Sequence, residues 1–263
     1  MSKAPSQLGN QRPGSAIHGS PAVIIVGAGI AGCEAAWHCA RAGVATLLIT
    51  TSLDTSYNLA RDKESLAPPG GSLLAEVAPS LVDSGGLVAN FALHRAVKLA
   101  LESEPKLHTL QATVSELLIE DEMVVGVRTW EGVERRAEVV ALCVGSFFRA
   151  RLSVGAVVEQ QGRLSEMSFD DLYLDLHGRG LHFEERSFEL AGQSGGLPYK
   201  VTTQVLAPTE MVAAGGQAAK RFQNLYAAGA CLGEADGTSA SYERAARQGL
   251  ALGKELVARL APT

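Results

Sequence analysis

The run Ala22-Val23-Ile24-Ile25-Val26-Gly27-Ala28-Gly29-Ile30-Ala31-Gly32 restricts the fold more than any other part of the chain. Ala22–Val26 is apolar without interruption, as expected of a strand buried on both faces of a parallel sheet. It runs straight into GxGxxG. From Ile30 to Ala42 the spacing becomes helical, with Cys33, Ala36, Trp37 and Ala40 on one face and Gly43 at the C-terminal cap. A second apolar run, Ala45 to Ile49, follows at once. Strand, glycine turn, helix and strand in so short a span predict a βαβ unit built to hold a dinucleotide. Gly27 permits the turn, Gly29 lets backbone approach a pyrophosphate, and Gly32 allows close helix–strand packing. Ala28, Ile30 and Ala31 complete a helix start whose free N–H groups and positive dipole end suit phosphate.

The rest of the chain fits around this unit. Thr50 to Gly86 is polar and broken by Pro68, Pro69, Gly70 and Gly71, which predicts a long connection with a short helix near Leu73–Ala78. Asn90 to Ser103 has helical spacing. Leu107–Val114, Glu116–Ile119 and Val124–Trp130 are expected to form a small antiparallel meander. Glu138–Val144 returns the chain to the parallel sheet and ends at Gly145-Ser146. Asn224–Ala228 reads as a further strand, Gly229–Ser239 as a glycine-rich turn, and Ser241–Leu260 as an amphipathic helix. Between them, 150–220 carries candidate strands and a helix near Phe169–Leu176.

The expected fold is therefore α/β, Rossmann-like, with a parallel central sheet, a small meander and an inserted smaller region. The domain expectation is a disordered leader at 1–20, a first part of the nucleotide-binding domain at 21–150, the insertion at 151–220, and a closing strand and helix at 221–263.

Composition excludes several function classes. A formal charge of -5 gives no global attraction to a phosphate backbone, so binding of a nucleic acid would need a local basic patch or a partner. The four cysteines show no metal-ligand spacing and are expected to be reduced thiols in a cytoplasmic protein. No apolar run reaches the roughly 20 residues that span a bilayer.

At the end of the second strand, where an NAD-binding unit carries an acid for the ribose, Thr50, Thr51 and Ser52 stand instead, with Asp54 beyond them. Their hydroxyls are the expected ribose partners. Two further segments favour FAD: Val144-Gly145-Ser146 resembles the ATG element of two-dinucleotide flavoproteins, and Leu225–Ala230 resembles the strand that places the flavin end before a closing helix.

These residues resemble the GidA/MnmG family. Its opening is similar to GGGHAGTEAA and its second strand to LLLTHNIDT, against GAGIAGCEAA at 27–36 and LLITTSLDT at 47–55. Val144-Gly145-Ser146-Phe147 resembles its VGTF. Residues 229–249 resemble AGQINGTTGYEEAAAQG with a short insertion. The resemblance implies FAD contacts from Gly27 to Gly32, Thr50, Thr51, Val114 at the adenine, Gly145, Ser146, Gly229, Ala230, Cys231, Gly237 and Thr238. It covers most of 22–150 and 221–260.

There are departures from the family. No cysteine occurs between Cys39 and Cys143, and Tyr199 stands where the resemblance places a cysteine in a PCYITHT-like strand. The resemblance also implies a C-terminal helical region that helps hold tRNA, for which these residues show no counterpart, so direct tRNA binding is not expected. The expectation is an FAD-dependent oxidoreductase that takes a hydride from NAD(P)H or another donor, with no catalytic residue assigned. Two alternatives stay open: a non-catalytic FAD-binding redox sensor or partner module for another protein, and a truncated tRNA-modification protein. Among other side chains, Lys200 is a candidate cation over the flavin, Arg149 and Arg151 are candidates for an anionic substrate, and His94 and His108 are left without a role.

Overall fold

The computed structural model describes residues 20–59, 61–163, 166–190, 196–212, 217–233 and 239–261. The leader expected at 1–20 lies outside the described residues except for its last position. The chain opens with β1 (Val23–Val26), α1 (Ile30–Arg41) and β2 (Thr46–Thr50). Helix α1 stops because Gly43, at φ +87, takes the left-handed turn that lets the next N–H, of Val44, bond back to the Cys39 carbonyl at 3.0 Å. The long connection then holds β3 (Lys63–Glu64), the short α2 (Leu73–Val77) and β4 (Val88–Ala89), before α3 (Asn90–Glu102) and β5 (Leu107–Gln111).

A meander of β6 (Val114–Glu120), β7 (Met123–Thr129) and β8 (Glu134–Arg136) precedes β9 (Val139–Leu142). Next come β10 (Phe148–Val154), β11 (Val157–Glu159), and a ribbon of β12 (Gln161–Arg163) and β13 (Glu166–Met167). Helix α4 (Asp170–Gly178), β14 (Phe183–Leu190), β15 (Tyr199–Leu206), β16 (Leu225–Ala227) and α5 (Ser239–Leu260) complete the chain.

The parallel sheet has the order β16-β9-β1-β2-β5. Val23 sits between Thr46 and Val139, and the register holds for four residues on each side. The pleat sends alternate side chains to opposite faces. Val23, Ile25, Leu48 and Ala141 join one core with α1, α3 and α5, while Ile24, Val26, Leu47 and Val140 join another with the meander and α4. Burial on both faces is why these strands read as continuous apolar runs. The strands from 148 to 206 make a separate antiparallel sheet in the order β11-β10-β15-β14.

One expectation is corrected. Leu107–Gln111 does not belong to the meander; it pairs in parallel with β2 as the edge of the central sheet. The third meander strand is Glu134–Arg136, a polar and exposed edge with no apolar pattern to announce it. No helix among the described residues is long and apolar enough to cross a membrane.

Glu34 ties the long connection to α1. Its side chain is fully buried and accepts three hydrogen bonds: from the Tyr57 hydroxyl at 2.6 Å, Leu73 N–H at 2.7 Å and Leu74 N–H at 2.9 Å. The last two are unpaired donors at the start of α2, so a carboxylate from one helix caps another. Burial pushes the Glu34 carboxyl above its usual range, opposed by the Tyr57 hydroxyl and the Leu74 and Leu73 N–H groups. Ser72 adds the local cap by accepting from Ala75 N–H at 3.0 Å.

Replacing Glu34 by Gln turns an amide NH₂ toward a backbone donor and leaves it unpaired, which is expected to cost about 2–3 kcal/mol. Tyr57→Phe, losing one bond to that carboxylate, is expected to cost about 1–2 kcal/mol. Urea unfolding followed by circular dichroism checks both, with Glu34→Gln the more destabilised.

Candidate functional site

The turn after β1 is built by close backbone approach. Gly27 lies at φ +102, and a Cβ there would come within 2.4 Å of the Cys143 carbonyl on the neighbouring strand. Its N–H reaches the Ile49 carbonyl of β2 at 2.7 Å, so the turn is fixed between β2 and β9. At Gly32 a Cβ would stand 1.9 Å from the Gly27 carbonyl oxygen, which only glycine permits. Gly29 differs from both: nothing lies within 4 Å of a Cβ built there. It is the N-cap of α1 and receives no side-chain hydrogen bond in that role. The helix therefore presents its first N–H groups and its positive end to open space.

That space is a cleft which, with the solvent at its mouth, encloses about 1120 Å³. Gly27 to Ala31 form its floor, Thr50 and Thr51 stand at the β2 end, and Gly145-Ser146 and Gly229-Ala230 stand at the β9 and β16 ends. All are at the carboxyl edge of the parallel strands, where open α/β sheets bind their ligands. Thr50 Oγ1 donates to the Ser52 carbonyl at 3.1 Å, which shapes the end of β2 and keeps that hydroxyl engaged locally. Asp54 points away, 93% exposed and paired loosely with Lys98 at 3.8 Å.

Of the residues expected at the site, Gly27, Ala28, Gly29, Ile30, Ala31, Thr50, Thr51, Gly145, Ser146, Gly229 and Ala230 line this one cleft. Gly32, Val114 and Cys231 do not. Gly32 is packed beneath the turn, and Val114 is in the core between sheet and meander. Cys231 is fully buried, its thiol donating to the Ala228 carbonyl at 3.3 Å and the Leu142 carbonyl at 3.4 Å. Gly237 and Thr238 lie outside the described residues.

The other candidates have structural duties. Lys200 is exposed on β15 beside Ser153 and is not on the cleft wall, so it is no cation for a ligand there. Arg151 forks onto Asp170 at 2.8 and 3.2 Å. Arg149 lies over the Tyr173 ring at 5.5 Å. His94 donates from Nδ1 to the Ser56 carbonyl at 2.7 Å, pinning the long connection, and His108 is exposed. Tyr199 is buried under β14 with Leu152 and Val201.

The structure also brings in residues that no sequence pattern marked. Asn58, Arg163, Glu166, Met167, Phe188 and Leu190 also line the cleft. Asn58 follows Tyr57, whose N–H bonds to the Ala28 carbonyl at 2.9 Å, and this places the long connection beside the turn. Arg163 Nη1 donates to the Asn58 carbonyl at 3.1 Å and pairs with Glu166 at 3.3 Å. Gly162 lies against Phe147, whose ring a Cβ would meet at 2.2 Å. Among the described residues no group of His, Cys, Asp and Glu is arranged to hold a metal.

The family model described as glucose inhibited division protein A matches residues 22–191. The tRNA uridine 5-carboxymethylaminomethyl modification enzyme MnmG of Chlamydia abortus is 32% identical over 187 residues, 60% of this chain and 30% of that protein. The chain thus spans under a third of the length of that relative. Among solved structures, a GidA-related protein from Thermus thermophilus is similar at TM-score 0.80 and 39% identity, covering 92% of this chain and all of that one. GidA of Aquifex aeolicus shares the fold at TM-score 0.79 and 15% identity, over 91% of this chain and 63% of that one.

Two outcomes follow from the packing. Gly32→Ala forces the turn off α1 and is expected to destabilise the fold by about 3 kcal/mol or more, as a strained overpacked site does. Gly29→Ala, with free space around it, is expected to stay within about 0.5 kcal/mol of the parent; thermal melts of both variants make the comparison. Burial pushes the Cys39 and Cys231 thiols up to about 12 and raises Cys33 and Cys143 as well. All four stay protonated at mildly alkaline pH, so iodoacetamide at pH 8 is expected to label none in the native protein and all after denaturation, counted by mass.

Proposed function

The chain belongs to the glucose inhibited division protein A family, and on that premise we propose that it is a flavoprotein, binding FAD in the cleft and transferring electrons through it. The observation that carries this reading is the uncapped start of α1 opening onto a cleft that continues well past the nucleotide turn. A mononucleotide needs the turn alone; a dinucleotide with a large ring system needs the rest of the cleft as well. The residues present fit such a group: the empty space over Gly29 admits a phosphate, and Met167, Phe188 and Leu190 give apolar surface for a ring.

On this reading Gly27 to Ala31 hold the pyrophosphate by backbone N–H groups and the helix dipole. Thr51, with its hydroxyl at the β2 end, is assigned to the adenosine ribose in place of the usual acid. Gly145, Ser146, Gly229 and Ala230 approach the flavin side, where their small size lets the ligand lie against backbone. Gly32, Val114 and Cys231 support the wall from behind. FAD, when bound, supplies two-electron chemistry; the protein supplies orientation, exclusion of water and charge. Covalent thiol catalysis is not part of the proposal, because all four cysteines are buried and carry raised pKa values. An electron donor of the NAD(P)H class remains part of the proposal.

The test is an absorbance spectrum of the purified chain between roughly 300 and 550 nm, after FAD addition and gel filtration, then with NADH or NADPH under anaerobic conditions. Bound flavin that bleaches is the expected result and names the donor. A chain that retains no FAD refutes the proposal, while bound flavin that neither nucleotide reduces removes the donor from it. Gly29→Ala, whose methyl projects into the phosphate space, is expected to weaken FAD binding at least tenfold, as measured by flavin fluorescence titration.

A further inference from the structure

Among the described residues that line the cleft, Arg163 and Glu166 are the only two that carry a formal charge. They have opposite signs and belong to the same β12–β13 ribbon, with 3.3 Å between Arg163 Nη1 and Glu166 Oε1. Both side chains are largely withdrawn from solvent, at 24% and 14% exposure, so their charges act through a less screened medium than a surface pair. Asn58 holds them in place from the other wall. Its carbonyl accepts from Arg163 at 3.1 Å, its Nδ2 donates to Glu166 at 3.4 Å, and its Oδ1 accepts from Asn90 Nδ2 at 2.5 Å. Asn90 in turn receives Leu59 N–H at 2.9 Å, so the pair is anchored through α3.

The neighbours of the pair decide what it faces. The floor near α1 is lined by small residues and backbone, with no charged side chain. Arg163 follows Gly162, which lies on Phe147, and Glu166 precedes Met167; Phe188 and Leu190 line the same cleft. Apolar walls of this kind suit the ring system of a dinucleotide. Tyr199, buried beside the ribbon, also feels both charges. Burial pushes the Glu166 carboxyl above its usual range, with Arg163 and Asn58 opposing it, as expected of a group facing a low-dielectric space.

We propose that Arg163 and Glu166 set the reduction potential of the flavin bound in this cleft, Arg163 by stabilising the negative charge that reduction places on the ring and Glu166 by opposing it while positioning the guanidinium. This rests on the FAD-binding reading above. Two-electron reduction with uptake of one proton adds one negative charge to the ring. A fixed cation nearby favours the reduced form and a fixed anion disfavours it. The role resembles the one expected of Lys200 from sequence, moved to a ribbon that the fold carries to the cleft.

The experiment uses the full chain loaded with FAD, reduced slowly under anaerobic conditions in equilibrium with a reference dye. R163M is expected to lower the midpoint potential and E166Q to raise it, each by at least a tenfold change in the reduced-to-oxidised ratio, about 30 mV for a two-electron couple. R163K, which keeps the charge, is expected to stay within threefold of the parent ratio. A pair that merely latches the ribbon would weaken FAD binding in all three variants without opposite shifts. Shifts of the same sign, or none beyond threefold, overturn the proposal. Should R163M fail to hold FAD, E166Q still decides: a raised potential supports the proposal, and an unchanged or lowered one overturns it. A parent chain that binds no FAD refutes the flavoprotein reading instead, a result told apart by its lack of flavin absorbance.

Discussion

Helix α1 lies in backbone contact with its surroundings on two sides, and the rest of the molecule is arranged to allow it. On the sheet side, the Gly27 carbonyl occupies the place where a Cβ of residue 32 would be. On the outer side, a Cβ on Gly249 of α5 would come within 2.3 Å of the Ala31 carbonyl, and one on Gly253 within 2.8 Å of His38 Cβ. Gly249 and Gly253 are four apart, so they fall on one stripe of α5. The final helix closes on the first because it has no side chain there. Ten of the twelve residues of α1 are buried as a result, which holds its N-terminus at a fixed height over the cleft.

A helix so enclosed has little room for a charge, yet it carries Glu34. The carboxylate sits fully buried because it is given Tyr57, Leu73 and Leu74 as donors, and satisfying it orders the connection between β2 and α3. Tyr57 accepts a positive φ of 54, costly for a bulky residue, while its N–H bonds to Ala28 and its hydroxyl to Glu34. That conformation delivers Asn58 to the cleft, and Asn58 receives the β12–β13 ribbon. One buried carboxylate is thus linked, contact by contact, to the charged pair on the opposite wall.

The first βαβ unit was legible residue by residue, because strand burial, glycine spacing and helix periodicity are local properties that one stretch of chain expresses alone. Eleven of the expected site residues line one cleft for the same reason: each closes a strand of the parallel sheet or opens the helix that follows. Cys231 and Val114 were placed from resemblance, and neither the turn after β16 nor the start of β6 sets by spacing which way a side chain points. The Leu107 run shows the limit for sheets. Its apolar pattern states that it is a strand but not which partner it takes, and pairing with β2 depends on where α3 sets it down.

Asn58, Arg163 and Glu166 were invisible in the sequence for a related reason. More than a hundred positions separate Asn58 from the ribbon, and each residue type is ordinary on a surface. By itself the sequence determined the fold class, the nucleotide turn and the small residues that a ligand must approach closely, since steric exclusion around glycine is written in the local chain. Only the tertiary structure decided which side chains face the cleft. It also decided which two charges meet there, because electrostatic contact depends on distance in space, and chain separation does not encode it.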